Sequence, residues 1–222
     1  MKKNQLLAFF SLWAVVAFAQ TQAIGESPTP LFFHSMAHDD RVEELFKERF
    51  FNDSLFREGE LRTRKGLFTT DLGFRFDQVE QTIEVKTATG KQLYLEPKDV
   101  LYCKLLFEDY TVVFMPVTLP KKKNLTLVQV VYKTPTLQLY RDIHKKMLHY
   151  GLEKDYRYYF QKDNKGHLKE VEINEKSLIN ALPEKRNRIA QFFKGKKKED
   201  LTLSKVMHLM GELDDKNKEE IE

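Results

Sequence analysis

The sequence has few of the residues and motifs that covalent stabilisation and common catalytic mechanisms need. Cys103 is the only cysteine among 222 residues, so no intrachain disulfide can form and stability must come from packing. The serine motifs G-x-S-x-G and S-x-x-K are missing. The glycines beyond the N-terminal region are isolated, so no glycine-rich phosphate loop is present. These absences exclude a disulfide scaffold, a P-loop and the most recognisable serine-hydrolase signatures.

The first nineteen residues have the three parts of a secretory signal peptide. Lys2 and Lys3 form a positive start, Leu6 to Ala19 is an uncharged and mostly apolar run, and Ala17-Phe18-Ala19 is a cleavage site of the A-x-A type. The run is shorter than the roughly 20 residues that a helix needs to cross a bilayer. No cysteine lies beside the site, which excludes a lipid-modified N-terminus. We expect an exported chain, periplasmic or secreted, without a stable membrane span after cleavage.

The charge balance of the mature chain is close to neutral. Removal of Lys2 and Lys3 lowers the formal charge from +4 to +2. Such a mild excess of positive charge is not typical of a nucleic-acid-binding protein. The length that remains suits one domain or two small ones. An unknown envelope protein or a glycan is the expected partner, and no cofactor is indicated.

The middle of the chain has the two-residue period of β-strands. Leu72, Phe74 and Phe76 alternate with Asp71, Arg75 and Asp77, which predicts a half-buried strand. YTVVFMP, residues 110–116, is apolar on both faces, as in a central strand. Because the strand-like runs follow one another closely, antiparallel neighbours are favoured, in a meander or a small barrel. A short amphipathic helix capped by Asp39 or Asp40 precedes them.

Residues 135–173 hold an ambiguous stretch and an aromatic hairpin. Residues 135–150 begin with strand alternation but continue as either a helical turn or a polar connection, which Gly151 ends. In the hairpin, Tyr156, Tyr158 and Phe160 share one face and Tyr159 lies on the other. Val171 and Ile173 on the return strand can pack against the three-residue face. We therefore favour a core hairpin over an aromatic binding platform, and Tyr159 is the one aromatic candidate for ligand contact.

The last part of the chain predicts three small helices. Asn174 is a good N-cap for the first helix, Pro183 suits the first turn of the second, and Gly195 is a natural stop. Asp200 is expected to cap the third. The apolar faces predicted for the three helices are Leu178, Ile179 and Leu182; Ile189, Phe192 and Phe193; and Leu203, Val206, Met207, Met210 and Leu213.

The predicted fold class is therefore α+β, mainly an antiparallel β meander or small barrel with a short N-terminal helix and small C-terminal helices. The predicted division of the chain is a signal peptide (1–19), a loose segment (20–38), a sheet-rich domain (39–173), C-terminal helices packing on it (174–214) and a polar tail (215–222).

Two blocks of the sequence resemble exported proteins common in Bacteroidota. YYFQKDNKGHLKEVEINEKSLINALPEKRNRIAQFFK, residues 158–194, is similar to a C-terminal pattern of Tyr-Tyr strand, polar turn, Lys-Ser-Leu helix and basic helix in that family. LRTRKGLFTTDLGFRFDQVEQTIEVK, residues 61–86, is similar to their N-terminal strand pair. The resemblance implies an envelope or secreted protein and supplies no catalytic residue.

Three groups of side chains are candidates for chemistry. His34 and His38 would share one face of a helix, as metal ligands must, but lack the glutamate of a zinc protease, and a solvated helix start is favoured. Cys103 lies in an apolar strand-like run, where burial makes a thiol inert. The basic runs are candidates for contact with an anionic lipid or polysaccharide, although charged loops are favoured; the residues are Lys121, Lys122 and Lys123, and Lys196 and Lys197.

The sequence supports three hypotheses about function. The leading one is an exported, non-enzymatic protein that binds a partner or has a structural role in the cell envelope. The second is a module that binds a lipid or glycan in a sheet cavity or a sheet–helix cleft. The third is a hydrolase whose residues are assembled from distant strands.

Overall fold

The structure is a computed structural model, and it describes residues 44, 47–68, 72–148, 151–163, 167–197 and 200–214. Its strands are β1 (Gly59–Thr63), β2 (Gly66–Phe68), β3 (Leu72–Asp77), β4 (Thr82–Thr87), β5 (Gln92–Leu95), β6 (Val100–Leu106), β7 (Thr111–Thr118), β8 (Leu125–Lys133), β9 (Leu137–Leu148), β10 (Gly151–Lys162) and β11 (Lys169–Val171). Its helices are α1 (Glu175–Ala181), a 3-10 turn (Pro183–Lys185), α2 (Arg186–Phe193) and α3 (Leu203–Leu213). Residues 44 and 47–49 are also helical.

The strands form two antiparallel sheets. The large sheet has eight strands in the order β11-β10-β9-β8-β7-β6-β1-β2, and the small one has three in the order β3-β4-β5. From β6 to β11 each strand pairs with the next along the chain. The prediction of antiparallel neighbours in a meander is confirmed for this run. The physical reason for this pairing is that short connections allow only antiparallel neighbours. β7 lies inside the large sheet, as its two-sided apolar character predicted. The small barrel stays a prediction.

One face of the large sheet, which we call the inner face, is covered by different elements at its two ends. At the sheet-covered end, Phe74, Phe76 and Ile83 of the small sheet pack in one cluster with Cys103 and Phe114. The remaining buried members are Leu61, Val85, Leu95, Val100, Leu105, Val112, Leu127 and Ile143. The large sheet thus supplies one half of this core and the small sheet the other.

At the helix-covered end, the same face packs against α1, α2 and α3. Leu139 and Phe160 of the sheet lie in a cluster with Leu178, Ile189 and Leu209 of the three helices. The other buried members are Val131, Leu137, Val171, Leu182, Phe192, Val206, Met210 and Leu213. The helices thereby gain most of their stability from an apolar face laid on the sheet, as short helices must.

The small sheet is buried on both faces in its centre, which corrects the prediction of a half-buried strand. Arg75, Asp77 and Glu84 lie on the face away from the large sheet, and all three are buried. Phe50 and Phe56 cover this face: the Arg75 guanidinium carbon lies 3.7 Å and 4.2 Å from their ring centroids. The alternation of apolar and polar residues was correct, but the polar side faces a second layer of chain instead of water.

β9 and β10 form a hairpin of two twelve-residue strands. The stretch that was ambiguous in sequence continues as strand, and Gly151 begins β10 instead of ending an element. In the hairpin, Phe160 and Val171 are buried in the helix-covered cluster, with Tyr158 and Ile173 packed against it. Tyr158 pairs with Val171 across β10 and β11. The prediction of a core hairpin is therefore confirmed for Tyr158 and Phe160, whereas Tyr156, predicted on the same core face, is 46% exposed and was placed there wrongly.

The helices agree with the sequence predictions at three positions and differ from them at two. Asn174 caps α1 by accepting a hydrogen bond from Ser177 N, Pro183 begins the 3-10 turn, and Gly195 has a positive φ of 74° just after α2. The N-cap of α3 is Thr202, whose side chain accepts from Lys205 N, so the prediction of Asp200 was wrong. Leu209 occupies the buried face predicted for Met207, whose side chain is 46% exposed.

Several predictions lie outside the described residues: the signal peptide, the loose segment with His34 and His38, most of the N-terminal helix, and the tail 215–222. Within the described ranges, no helix combines the length and apolar character needed to cross a membrane.

Candidate functional site

A groove with a volume of about 530 Å³ lies between α2 and α3. Its lining residues come from both helices and from the turn that follows α2. They are Arg188, Gln191, Phe192, Lys196, Lys205, His208 and Glu212. The volume is within the range of roughly 300 to 1,000 Å³ that ligand pockets occupy.

The spacing of residues on the two helices produces the groove. On α2, Arg188 precedes Phe192 by four residues, so both lie on one side of the helix. On α3, Lys205, His208 and Glu212 follow intervals of three and four and form one stripe. Phe192 is also a buried member of the helix-covered cluster, together with Ile189 of α2 and Val206, Leu209, Met210 and Leu213 of α3. Packing of these residues holds α2 and α3 together, and the residues that line the groove come from both helices.

Arg188 joins the two walls of the groove. Its Nη1 donates to the backbone oxygen of Glu212, 3.0 Å away, at the C-terminal end of α3. A cation at this position is favourable because the last carbonyls of a helix carry partial negative charge. The Glu212 side chain points along the same helix, with Oε1 3.3 Å from Nε2 of His208. This contact holds Arg188 at the groove, where the residue is exposed.

The two lysines are held by different contacts. Lys196 Nζ lies 3.6 Å from the centroid of the Phe192 ring, a cation–π arrangement. Gly195, with its positive φ, turns the chain after α2 so that Lys196 returns over that ring. Lys205 Nζ donates to the backbone oxygen of Asp200 at 2.8 Å. Both ammonium groups are thus positioned at the groove by the fold.

The groove carries a net positive charge. Arg188, Lys196 and Lys205 are cationic, and Glu212 is the one carboxylate among the lining residues that the structure describes. His208 adds a further positive charge when it is protonated. Such an arrangement attracts anions, and the guanidinium offers a planar fork of donors for carboxylate or phosphate oxygens.

Of the residues predicted from sequence, Lys196 lines the groove. Lys197 is exposed next to it, and its backbone N–H donates to Asp200 Oδ2 at 2.8 Å. The other basic run lies elsewhere: Lys121, Lys122 and Lys123 are exposed in the β7–β8 connection. Lys122 Nζ lies 3.0 Å from the buried Asp142 Oδ2. The structure therefore does not bring the two basic runs into one site.

Tyr159 lies on the outer face of the large sheet, as strand parity predicted, but its side chain is only 2% exposed. It packs with Tyr140, Leu119 and Val128 in a third buried cluster. Burial raises the pKa of the Tyr159 hydroxyl, and the nearby Glu170 carboxylate acts in the same direction. Tyr159 is therefore a core residue, and the hypothesis of an exposed aromatic contact is wrong for it.

Sequence reasoning did not single out Arg188, Lys205, His208 or Glu212 as site residues. The local signal existed, because Lys205, His208 and Glu212 have helical spacing on the polar side of α3. What the sequence lacks is the angle and distance at which α2 and α3 pack. Those follow from contacts with β8 to β11, so the pairing of the two polar stripes is visible only in the fold.

The groove offers little for covalent chemistry. His208 and Glu212 form a His–carboxylate pair, but their side chains are 73% and 52% exposed. No hydroxyl or thiol is among the lining residues. Cys103 is buried in the sheet-covered cluster, and burial raises the pKa of its thiol. In the part of the chain that the structure describes, no group of three or more His, Cys, Asp or Glu side chains is placed to hold a metal ion.

No family model, curated protein or solved structure matches the chain.

Proposed function

We propose that this chain is an exported, non-enzymatic binding protein of the bacterial envelope that captures an anionic partner in the groove between α2 and α3. The observation that carries the proposal is the convergence of Arg188, Lys196 and Lys205 on one groove of about 530 Å³. Each of the three is anchored by a contact, to Glu212, Phe192 and Asp200 respectively. Anchored cations lose less side-chain entropy on binding than free ones do.

Export is supported by the sequence of the first nineteen residues and by the resemblance to exported proteins of Bacteroidota. The near-neutral charge of the mature chain agrees with a local site, because its excess of positive charge is small while the groove concentrates cations. An envelope offers anionic partners in its phosphorylated lipids and acidic polysaccharides.

The alternative of a lipid or glycan in a sheet cavity or a sheet–helix cleft has less support. The inner face of the large sheet is filled by two apolar clusters, which occupy the space such a ligand would need. The groove is lined by α2, α3 and the turn after α2, and its described lining residues include none from the sheet. A lipid or glycan therefore remains a candidate partner, with the groove as its site.

The hydrolase hypothesis rests on one observation, the His208–Glu212 pair. A carboxylate that orients a histidine is a common part of a general base. Here both side chains are mostly exposed and no nucleophile lines the groove, so we favour binding. Lack of turnover of chromogenic ester and phosphoester substrates, combined with saturable binding, is the expected result.

The test measures binding of the chain without its first nineteen residues to vesicles containing phosphatidylglycerol and to an acidic polysaccharide. We expect saturable binding at low salt that weakens strongly as salt is raised, since exposed charges are screened beyond about 10 Å at 0.1 M. The variant Lys196→Glu/Lys205→Glu should lose this binding. Lys121→Glu/Lys123→Glu changes the net charge equally in exposed residues outside the groove, and it should bind as the parent does.

Melting temperatures of both variants show whether folding is intact. Equal weakening by the two charge reversals would mean that binding follows net charge alone, and the proposed site would be wrong. Absence of binding to either probe at low salt would remove the proposal altogether.

A further inference from the structure

Among its described lining residues the groove combines three cationic side chains with one carboxylate, and this combination constrains the ligand. Glu212, which stands on the same stripe of α3 as Lys205, lowers the affinity of the groove for an anion that brings no hydrogen-bond donor. The Glu212 carboxylate has no hydrogen to donate, and so it favours a ligand group that donates a hydrogen bond. Gln191 adds an amide that both donates and accepts. The complementary ligand therefore has an anionic group and, beside it, hydroxyl or other donor groups.

The anionic part is better matched by phosphate than by a single carboxylate. Arg188 offers a planar fork, while Lys196 and Lys205 act as point charges from the turn after α2 and from α3. Three donors on two walls are best satisfied by a group that presents three or more oxygens in different directions. A phosphate monoester has that shape and also carries up to two negative charges near neutral pH.

The rest of the ligand is expected to be polar. The lining holds one aromatic ring, that of Phe192, whose residue is only 9% exposed. The Lys196 ammonium covers the ring from 3.6 Å. An acyl chain would find almost no apolar surface here, whereas hydroxyl groups would find Glu212 and Gln191. A saccharide fits these side chains, and the groove volume leaves room for a sugar ring as well as the phosphate.

We propose that the groove is a site for a phosphorylated saccharide, with the phosphate held by Arg188, Lys196 and Lys205 and the sugar hydroxyls held by Glu212 and Gln191. This inference rests on the proposed function and names the ligand class of the same groove. It assigns two separable roles: the cations supply affinity for phosphate, and Glu212 supplies the preference for a sugar attached to it.

The experiment compares, by titration calorimetry at low salt, glucose 6-phosphate, inorganic phosphate, glucose and phosphatidylglycerol vesicles. We expect glucose 6-phosphate to bind about tenfold more tightly than inorganic phosphate, the gain of one good hydrogen bond to a charged group. Glucose should show no binding. Glu212→Gln should bind inorganic phosphate at least as tightly as the parent, because a negative charge is removed, and its preference for the sugar phosphate should fall toward one.

Glu184→Gln is the matched control, since it removes the same charge from an exposed residue of the 3-10 turn that does not line the groove. It should leave both affinities within about twofold of the parent, as exposed charges contribute little. Melting curves of both variants verify folding.

The outcomes separate this inference from the proposed function. If vesicles bind through Lys196 and Lys205 but glucose 6-phosphate binds no better than inorganic phosphate, the saccharide inference is overturned and anion binding stands. If Glu212→Gln keeps the full preference, Glu212 does not select the sugar and the inference fails. If no phosphate compound, no vesicle and no acidic polysaccharide binds, both proposals fail together.

Discussion

The two ends of the inner face show two ways to cover a sheet. At the sheet-covered end, charged side chains are enclosed: Arg75 contacts Glu84 Oε2 through two nitrogens, at 2.7 Å and 2.5 Å. Arg49 pairs with the fully buried Asp77. At the helix-covered end the buried residues are apolar except at the border, where Asp214 accepts hydrogen bonds from Tyr132, Thr134 and Thr136.

The difference follows from the geometry of the covering element. A strand has two faces, so a small sheet that packs on a large one presents its second face outward. In this chain Phe50 and Phe56 cover that second face. The charges on that face are then buried and must be paired. A helix has one apolar side and can leave the other in water. The groove with its exposed polar residues therefore lies at the helix-covered end.

The largest expected effect comes from breaking the buried pair at the sheet-covered end. Arg75→Ala leaves the Glu84 carboxylate buried without its cation, and we expect a loss of about 3 to 5 kcal/mol in the free energy of unfolding at pH 7. Chemical denaturation monitored by circular dichroism measures it. Arg75→Met/Glu84→Leu, which removes both charges, should recover most of the loss. An equal loss in the double variant would mean that packing of Arg75 between the rings matters more than its charge.

The pH dependence of Arg75→Ala sharpens this test. Burial raises the pKa of Glu84 above its usual value, and the Arg75 guanidinium opposes that rise. Without the arginine the pKa rises further, so the variant binds a proton more tightly when folded than when unfolded. The contribution of the Glu84 carboxyl group to the stability of the variant is then fully present below about pH 4.5, and it is lost as the pH rises through the raised pKa. The deficit relative to the parent should therefore be small at acidic pH and grow toward pH 7.

An apolar truncation tests the helix-covered end. Leu209, a residue of α3, is fully buried. Leu209→Ala should therefore lower the free energy of unfolding by about 3 kcal/mol through lost burial and the cavity left behind. Met207→Ala, two residues earlier and 46% exposed, is the control and should cost less than about 1 kcal/mol. Unlike Arg75→Ala, the effect of Leu209→Ala should not vary between pH 4 and pH 7, since no ionisable partner is left unpaired. A marked pH dependence would contradict the contrast between the two ends.

The smallest effect concerns Cys103 in the sheet-covered cluster. Burial raises the pKa of its thiol, so its contribution to stability is fully present below the unfolded pKa of about 8.5 and decreases as pH rises above it. The parent should lose up to about 1.4 kcal/mol per pH unit between pH 9 and pH 10. Cys103→Ala should cost about 1 kcal/mol relative to the parent at pH 7, and this deficit should shrink as the pH rises above 9, because the variant has no thiol to ionise. Parallel curves for the two proteins would show that the thiolate is not excluded from the fold.

Periodicity and turn residues predicted the strands and helices well where the burial of a single face sets the pattern of apolar residues. The alternation around Phe74 and Phe76, the Asn174 cap and the Tyr158–Val171 hairpin are local features, and the sequence contains them. The burial of Arg75 and Glu84 could not be predicted, because the layer that covers them comes from residues about twenty to thirty positions earlier. The candidate site could be predicted only in part, for the same reason. Lys196 was predicted because it belongs to a basic run, whereas the groove residues on α3 are brought near it by the packing of two helices.

β9 carries Leu139 in the cluster beneath the helices and Ile143, four residues on, in the cluster beneath the small sheet. β8 does the same with Val131 and Leu127. If β8 or β9 separated from one cluster, its contacts in the other cluster would be disturbed as well, because β8 and β9 share one ladder of hydrogen bonds. The two ends are therefore expected to melt as one cooperative unit. Ligand bound in the helix groove would then also slow hydrogen exchange in the distant small sheet.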